Sequence, residues 1–215
     1  MSTVSDPPNS RAPLPTNRGR QTQVAIDAAA RTVIARKGIL ATTIADIAAE
    51  AGRSTASFYN YYDSKEAMVR EWALRFRAEF GERSKPVTRH GLSTRERAHQ
   101  AAAAYWHAYK HRLPEIISMS QLAMVNADFA QYWVDMCDIP TSFITETVRR
   151  AQADGYCARD DPQLIAVAIV AMLSQFCYLQ LAGPASHRDG NPDDEACIAT
   201  LANIFYRAIY CKEGR

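Results

Sequence analysis

The chain has 215 residues, with 25 Lys and Arg against 23 Asp and Glu and 47% hydrophobic residues. This length suits one domain with a generous core or a small domain joined to a larger one, and the composition excludes a wholly disordered chain, a coiled-coil rod and a disulfide-framed miniprotein. The balance is uneven: residues 1–65 carry eight Lys and Arg against five Asp and Glu, a mildly basic head on a near-neutral remainder that permits nucleic-acid binding without proving it.

Residues 1–20 hold prolines, small polar residues and Arg11, Arg18 and Arg20, and are expected to be a disordered basic arm. A helix over about 22–37 follows, with Ile26, Ala29, Ala30, Val33 and Ile34 on one face and Gly38 at its end. Thr43 and Asp46 have capping-box spacing for a short helix ended by Gly52. Ser54 is placed to cap a third helix over 54–60, and Asp63 with Glu66 a fourth over 64–83. Helices of these lengths joined by tight turns predict a helix-turn-helix head over 21–67.

The body, 68–215, begins with a polar stretch at 84–92. Ser93 and Glu96 then open a helix over 94–111, stopped by Pro114; a short helix over 115–123 follows, then a long one over 127–154 that Pro140 kinks or splits. Asp161-Pro162 and Asn191-Pro192 read as N-cap and first-turn proline of helices over 162–183 and 192–211. No stretch alternates with period two, so the fold class is all-α with about nine helices. Residues 164–182 carry no charge, long enough to span a bilayer, yet Ser174, Gln175 and Gln180 interrupt the run and no basic cluster flanks it. The expectation is a helix between two buried surfaces, an internal core or cavity and a partner subunit, rather than a membrane span.

Cysteines 137, 157, 177, 197 and 211 include no C-x-x-C pair and read as free thiols; the 20-residue spacing of the first four is not echoed by their flanks, so no repeat is implied. No signal-peptide pattern opens the chain, and a cytoplasmic location is expected.

Residues 42–67, TTIADIAAEAGRSTASFYNYYDSKEA, resemble the N-terminal signature of the TetR family of bacterial transcriptional regulators. The resemblance implies a one-component regulator, most simply a repressor. Two copies would read a near-palindromic double-stranded operator, and a small hydrophobic effector would release them, because one short helix buries too little for specific affinity. It places Thr55, Ala56, Tyr59 and Asn60 in the major groove, Tyr59 and Tyr61 near phosphates, and Lys65 and Thr43 on the phosphate backbone. Asn60 is the residue type for bidentate adenine recognition. Lys65 sits in the first turn of its helix, where a cation needs something negative opposite it. Arg53 and Ala56 depart from the family pattern, so base preference does not carry over. Arg18 and Arg20 are candidates for the minor groove or for a solvated tail.

More loosely, Trp133 to Gly155, the Ala182-Gly183 helix end and Ile204 to Tyr210 resemble a mycobacterial repressor of that family whose body encloses a long apolar tunnel. By position this implies a lining of Tyr105, Trp106, Tyr109, Trp133, Cys137, Leu173 and Phe205, with Pro140 altering its shape. Met136 joins them on helical spacing from Trp133, although aromatic residues at such spacing serve equally as ordinary core. The last two helices, through Ile198, Leu201, Phe205 and Ala208 or Ile209, are the expected homodimer surface. His107 and His111 have metal-ligand spacing but sit in a basic helix end, and no P-loop, G-x-S-x-G or G-x-G-x-x-G occurs; catalysis, cofactor and metal are not expected. The alternative is a helical small-molecule or lipid-binding protein without specific DNA binding.

Overall fold

The computed structural model describes residues 17–83, 91–156, 160–182 and 193–210, and contains nine helices and no strand among them. In chain order they are α1 (Asn17–Ala41), α2 (Ile44–Glu50), α3 (Thr55–Tyr59), α4 (Lys65–Arg83), α5 (Thr94–His111), α6 (Leu113–Ala123), α7 (Ala127–Ala153), α8 (Pro162–Leu181) and α9 (Asp194–Ile209). Arg11, most of the polar stretch at 84–92, and Asn191-Pro192 lie outside the described residues.

Helix α1 starts five residues before the expected position, so Arg18 and Arg20 stand in its opening turns rather than in a free arm, and Arg20 donates to Asn17 Oδ1 at 2.9 Å. Arginine and glutamine propagate a helix without an apolar face to advertise it, which is why periodicity missed this extension. The helix is interrupted at Gly38, with φ of 75°, where an added Cβ would come 3.2 Å from Gln121 Oε1. The same oxygen accepts the Ile39 N–H, and it is the left-handed backbone at residue 38 that calls for glycine.

The Thr43–Asp46 capping box forms as the spacing predicts. At the other end of α2, Gly52 takes φ of 61°, and Arg53 N–H reaches the Ala48 carbonyl at 2.9 Å, a Schellman turn that aims the chain into α3. Ser54 caps α3. The cap of α4 is Ser64, which accepts the Ala67 N–H at 3.0 Å, rather than Asp63. Both positions have an acceptor side chain, and sequence spacing alone could not rank them.

In the body, Ser93 and Glu96 form their capping box on α5, Asp161 and Pro162 open α8, and Asp193, two residues beyond Asn191, caps α9. Helix α7 runs unbroken through Pro140. The proline removes one N–H from the ladder, so the Met136 carbonyl loses its helical donor; Thr141 and Thr145 hydroxyls fold back onto the Cys137 and Thr141 carbonyls at 2.7 and 2.8 Å just beyond it.

Two apolar cores result. The head core joins Ile26, Ile34, Ile47, Phe58 and Tyr62 to Met68, Val69 and Trp72 of α4 and to Met119, Leu122 and Phe129 of α6 and α7. It thus continues past the expected boundary at residue 67. The body core joins α5 to α9 along Ala98, Trp106, Leu201 and Phe205, with α7 and α8 contributing Ile144, Val148, Ile169 and Leu173.

Buried among the head residues is one carboxylate, Asp27. Its Oδ1 accepts the Tyr62 hydroxyl at 2.7 Å and the Trp72 indole N–H at 3.1 Å, and its Oδ2 accepts from Arg75 Nη1 at 3.1 Å. Asp27→Ala would leave these donors without their acceptor. It is expected to cost about 3 kcal/mol in chemical denaturation, and a loss under about 1 kcal/mol would show that the carboxylate does not hold the head together.

Candidate functional site

Helix α3 has one turn and a half, and its two faces are sharply divided. Phe58 is fully buried and packs edge-on against Tyr59, ring centroids 5.9 Å apart, while Thr55, Ala56, Tyr59 and Asn60 point outward. Tyr59 is 55% exposed, an aromatic ring held by a buried neighbour. Arg53 is exposed at the turn, whereas Tyr61 is half-buried against the head core.

Two of the expected phosphate residues already have partners. The Thr43 hydroxyl and N–H both engage Asp46, and Lys37 Nζ reaches the same carboxylate at 2.6 Å. These bonds hold the Asp46 carboxyl well below the usual carboxylate range, the ion-paired hydrogen bond from Lys37 contributing most. The Lys65 ammonium donates to the carbonyls of Ile39, Leu40 and Thr42 at 2.9, 3.3 and 2.8 Å. The negative partner that a cation in the first turn of α4 requires is therefore the carbonyl-rich end of α1, and a phosphate contact from Lys65 has to be made by exchanging one of these bonds.

In the body, a cavity of about 60 Å³ lies between α4, α5, α6, α7 and α8. Of the residues expected to line it, Tyr105, Tyr109, Trp133, Met136 and Cys137 do so. Trp106, Leu173 and Phe205 lie outside this cavity, in the body core. Trp106 is fully buried with its indole N–H on Asp194 Oδ1 at 3.0 Å, and Leu173 and Phe205 fill the space between the body helices. The lining also includes Phe76 of α4, Ile116 of α6, Pro140 of α7, and Val170 and Ser174 of α8. Phe76 and Ile116 sit among mixed residues with no motif to single them out. Ser174 was visible only as a polar interruption of the uncharged run.

The head is fastened to the body beside this cavity. Arg31 of α1 donates to buried Glu115 of α6 at 2.7 Å and lies over the Trp72 ring at 5.0 Å, while Glu115 Oε2 has no hydrogen-bond partner among the described residues. The next residue, Ile116, lines the cavity.

His107 and His111 stack with centroids 6.4 Å apart, and among the described residues no group of three or more His, Cys, Asp or Glu is arranged to hold a metal ion. Helix α8 is long and apolar enough to cross a membrane by length and composition. In the fold its Ala166, Ile169, Val170, Leu173 and Cys177 face the body core, and burial pushes the Cys177 thiol up to about 12.

A head of this geometry on an all-helical body defines a helix-turn-helix fold. Residues 26–72 match the model of the family described as bacterial regulatory proteins, tetR family. The HTH-type transcriptional repressor KstR2 of Rhodococcus jostii is 30% identical over 134 residues, covering 56% of this chain; the chain spans only 64% of that relative's length. Among solved structures, a bacterial regulatory protein in the tetR family from Rhodococcus RHA1 superposes with a TM-score of 0.70 at 19% identity, over 90% of this chain and 99% of that one. A TetR-like transcriptional regulator from Rhodococcus sp. RHA1 gives 0.67 at 22% identity over 89% and 97%, and the fatty acid degradation regulator FadR from Bacillus halodurans 0.63 at 16% over 86% and 94%. These likenesses establish the fold.

Proposed function

We propose that this chain is a cytoplasmic one-component transcriptional repressor that binds a near-palindromic operator as a homodimer and is released by a small apolar molecule in the body cavity. The observation that carries this reading is the outward face of α3, where Thr55, Ala56, Tyr59 and Asn60 stand free on a helix whose inward Phe58 is locked in the head core. Such a face fits a major groove about 12 Å wide.

Dimerisation supplies the second half-site. Of the residues expected to make that contact, Ile198, Leu201, Phe205 and Ile209 are buried within the protomer on the inner face of α9, and Ala208 is exposed. What α8 shows outward is Leu164, Val167, Ala171, Gln175 and Tyr178, a stripe at helical spacing, with Leu179 beside it and Ile204 exposed on α9. The proposed interface is this outer face of the last two helices, on which an isologous four-helix contact would form. Val167→Asp is expected to give a folded monomer in sedimentation velocity, and Leu201→Asp an unfolded or aggregated chain. A Val167→Asp dimer of wild-type stability would remove this face from the interface.

Release follows if the ligand-filled body favours a different head position. Phe76 lines the cavity one turn beyond Trp72, which belongs to the head core, so α4 belongs to both. A ligand shifts that equilibrium only by its differential affinity for the two states.

Fluorescence anisotropy on the promoter beside the gene tests the reading. Tyr59→Ala is expected to weaken binding about tenfold or more with unchanged thermal stability. Lys65→Ala, which empties three carbonyl bonds, is expected to destabilise the head by about 2 kcal/mol. A Lys65→Ala protein of full stability, with a salt slope reduced by about one, would instead place the ammonium on phosphate. A wild-type protein that binds apolar ligands but not the promoter would be a helical small-molecule carrier.

A further inference from the structure

The cavity has a chemistry that narrows its occupant. No Lys, Arg, His, Asp or Glu lines it. A carboxylate, phosphate or ammonium placed there would lose its water without gaining a counter-charge, which costs several kcal/mol per ion.

Its polar atoms are few and are mostly hydroxyls. Tyr105 of α5 and Ser174 of α8 share one hydrogen bond, oxygen to oxygen 2.6 Å. Two hydroxyls carry two hydrogens and spend one on each other, so the pair keeps one donor for something else. One helical turn from Tyr105 stands Tyr109, 7% exposed, ring centroids 6.2 Å apart. Its hydroxyl enters no hydrogen bond among the described residues, and burial with no hydrogen bond contributing raises the proton affinity of this phenol. Burial raises that of Tyr105 as well, so both rings keep their protons at any physiological pH. The buried Tyr109 ring therefore presents a hydroxyl with a spare donor hydrogen to the cavity it lines, where an arriving acceptor would use it.

We infer that the cavity takes an uncharged, largely apolar molecule bearing one carbonyl-type oxygen, which accepts from Tyr109 and from the spare hydrogen of the Tyr105–Ser174 pair, with its hydrocarbon part against Phe76, Trp133 and Met136. A carbonyl oxygen has two lone pairs for these two donors. The aromatic rings and the thioether offer flat and adaptable walls to the hydrocarbon part. This inference rests on the proposal that the cavity is the effector site, and concerns only which chemistry the site selects.

Three probes of similar length separate the chemistries: hexanophenone, a neutral ketone; hexylbenzene, its hydrocarbon counterpart; and 4-pentylbenzoate, an anion at pH 7.5. Affinities are measured on the full chain by quenching of tryptophan fluorescence and by calorimetry, without DNA. Hexanophenone is expected to bind about tenfold tighter than hexylbenzene, and 4-pentylbenzoate more weakly than either. Tyr109→Phe, and Tyr105→Phe with Ser174→Ala, are each expected to remove about threefold or more of the ketone's advantage while leaving hexylbenzene affinity unchanged, a readout that mere loss of packing would not give. Binding of 4-pentylbenzoate tighter than the ketone, a ketone advantage indifferent to Tyr105 and Tyr109, or no binding of any probe would each overturn the inference. Because no operator is present, these outcomes are separate from the regulator reading. Ketone-selective binding with operator affinity unchanged would defeat effector-driven release and leave the ligand class standing.

Discussion

Asp27 is the constraint around which the head is built. A carboxylate buried in a helical core is costly unless every lone pair is used, and here α1 supplies the acceptor while α4 and the segment before it supply the donors Tyr62, Trp72 and Arg75. Gln23 and Arg75 also reach the Tyr62 hydroxyl, at 3.1 and 3.3 Å, closing the network. Burial and the Asp27 bond push the Tyr62 phenol up to about 12, so it stays a hydrogen-bond donor at ordinary pH. Tyr62 lies four residues from Phe58, and fixing one fixes the inward face of α3. The angle at which α3 leaves the head is set by this cluster rather than by α3 itself, which is too short to hold a shape alone.

The same network ends where the cavity begins. Trp72 touches Asp27 and Phe76 lines the cavity, so one turn of α4 separates the head's polar anchor from the cavity wall. A second junction runs from Arg31 through Glu115 to Ile116, again with the cavity residue next in sequence to the anchoring one. The Lys65 clamp on the last carbonyls of α1 adds a third tie between α1 and α4. Head and cavity are thus joined by short, stiff paths through two helices, and the proposed release mechanism needs no long relay.

Much of this was legible from residue order because it is local. Capping boxes at Thr43 and Ser93 and the glycine turn at residue 52 are written in spacings of three and four. The cavity was legible in part. Tyr105 and Tyr109 share a face by periodicity, but Trp106, one residue away, turns to Asp194, and nothing in the sequence tells which of two buried surfaces an aromatic ring will meet. Phe76 and Ile116 went unseen because a residue that belongs to a helix between two cores has no periodicity of its own. The role of Lys65 was half visible: a cation at the start of a helix demands a negative partner, yet that this partner is the end of α1 is a fact of tertiary contact. On α9 the apolar stripe of Ile198, Leu201, Phe205 and Ile209 is buried within the protomer, and a stripe facing α5 and a stripe facing a partner subunit look alike in sequence.

Filling the cavity is proposed to move the two heads of the dimer relative to each other. It is tested most directly by pulsed electron paramagnetic resonance between spin labels at Ala49, exposed on α2, in a dimer whose native cysteines have been replaced. The account predicts one distance distribution for the free dimer and a displaced one when hexanophenone is bound, with operator affinity falling over the same ligand range. An unchanged distribution in a dimer shown by calorimetry to be saturated would contradict it.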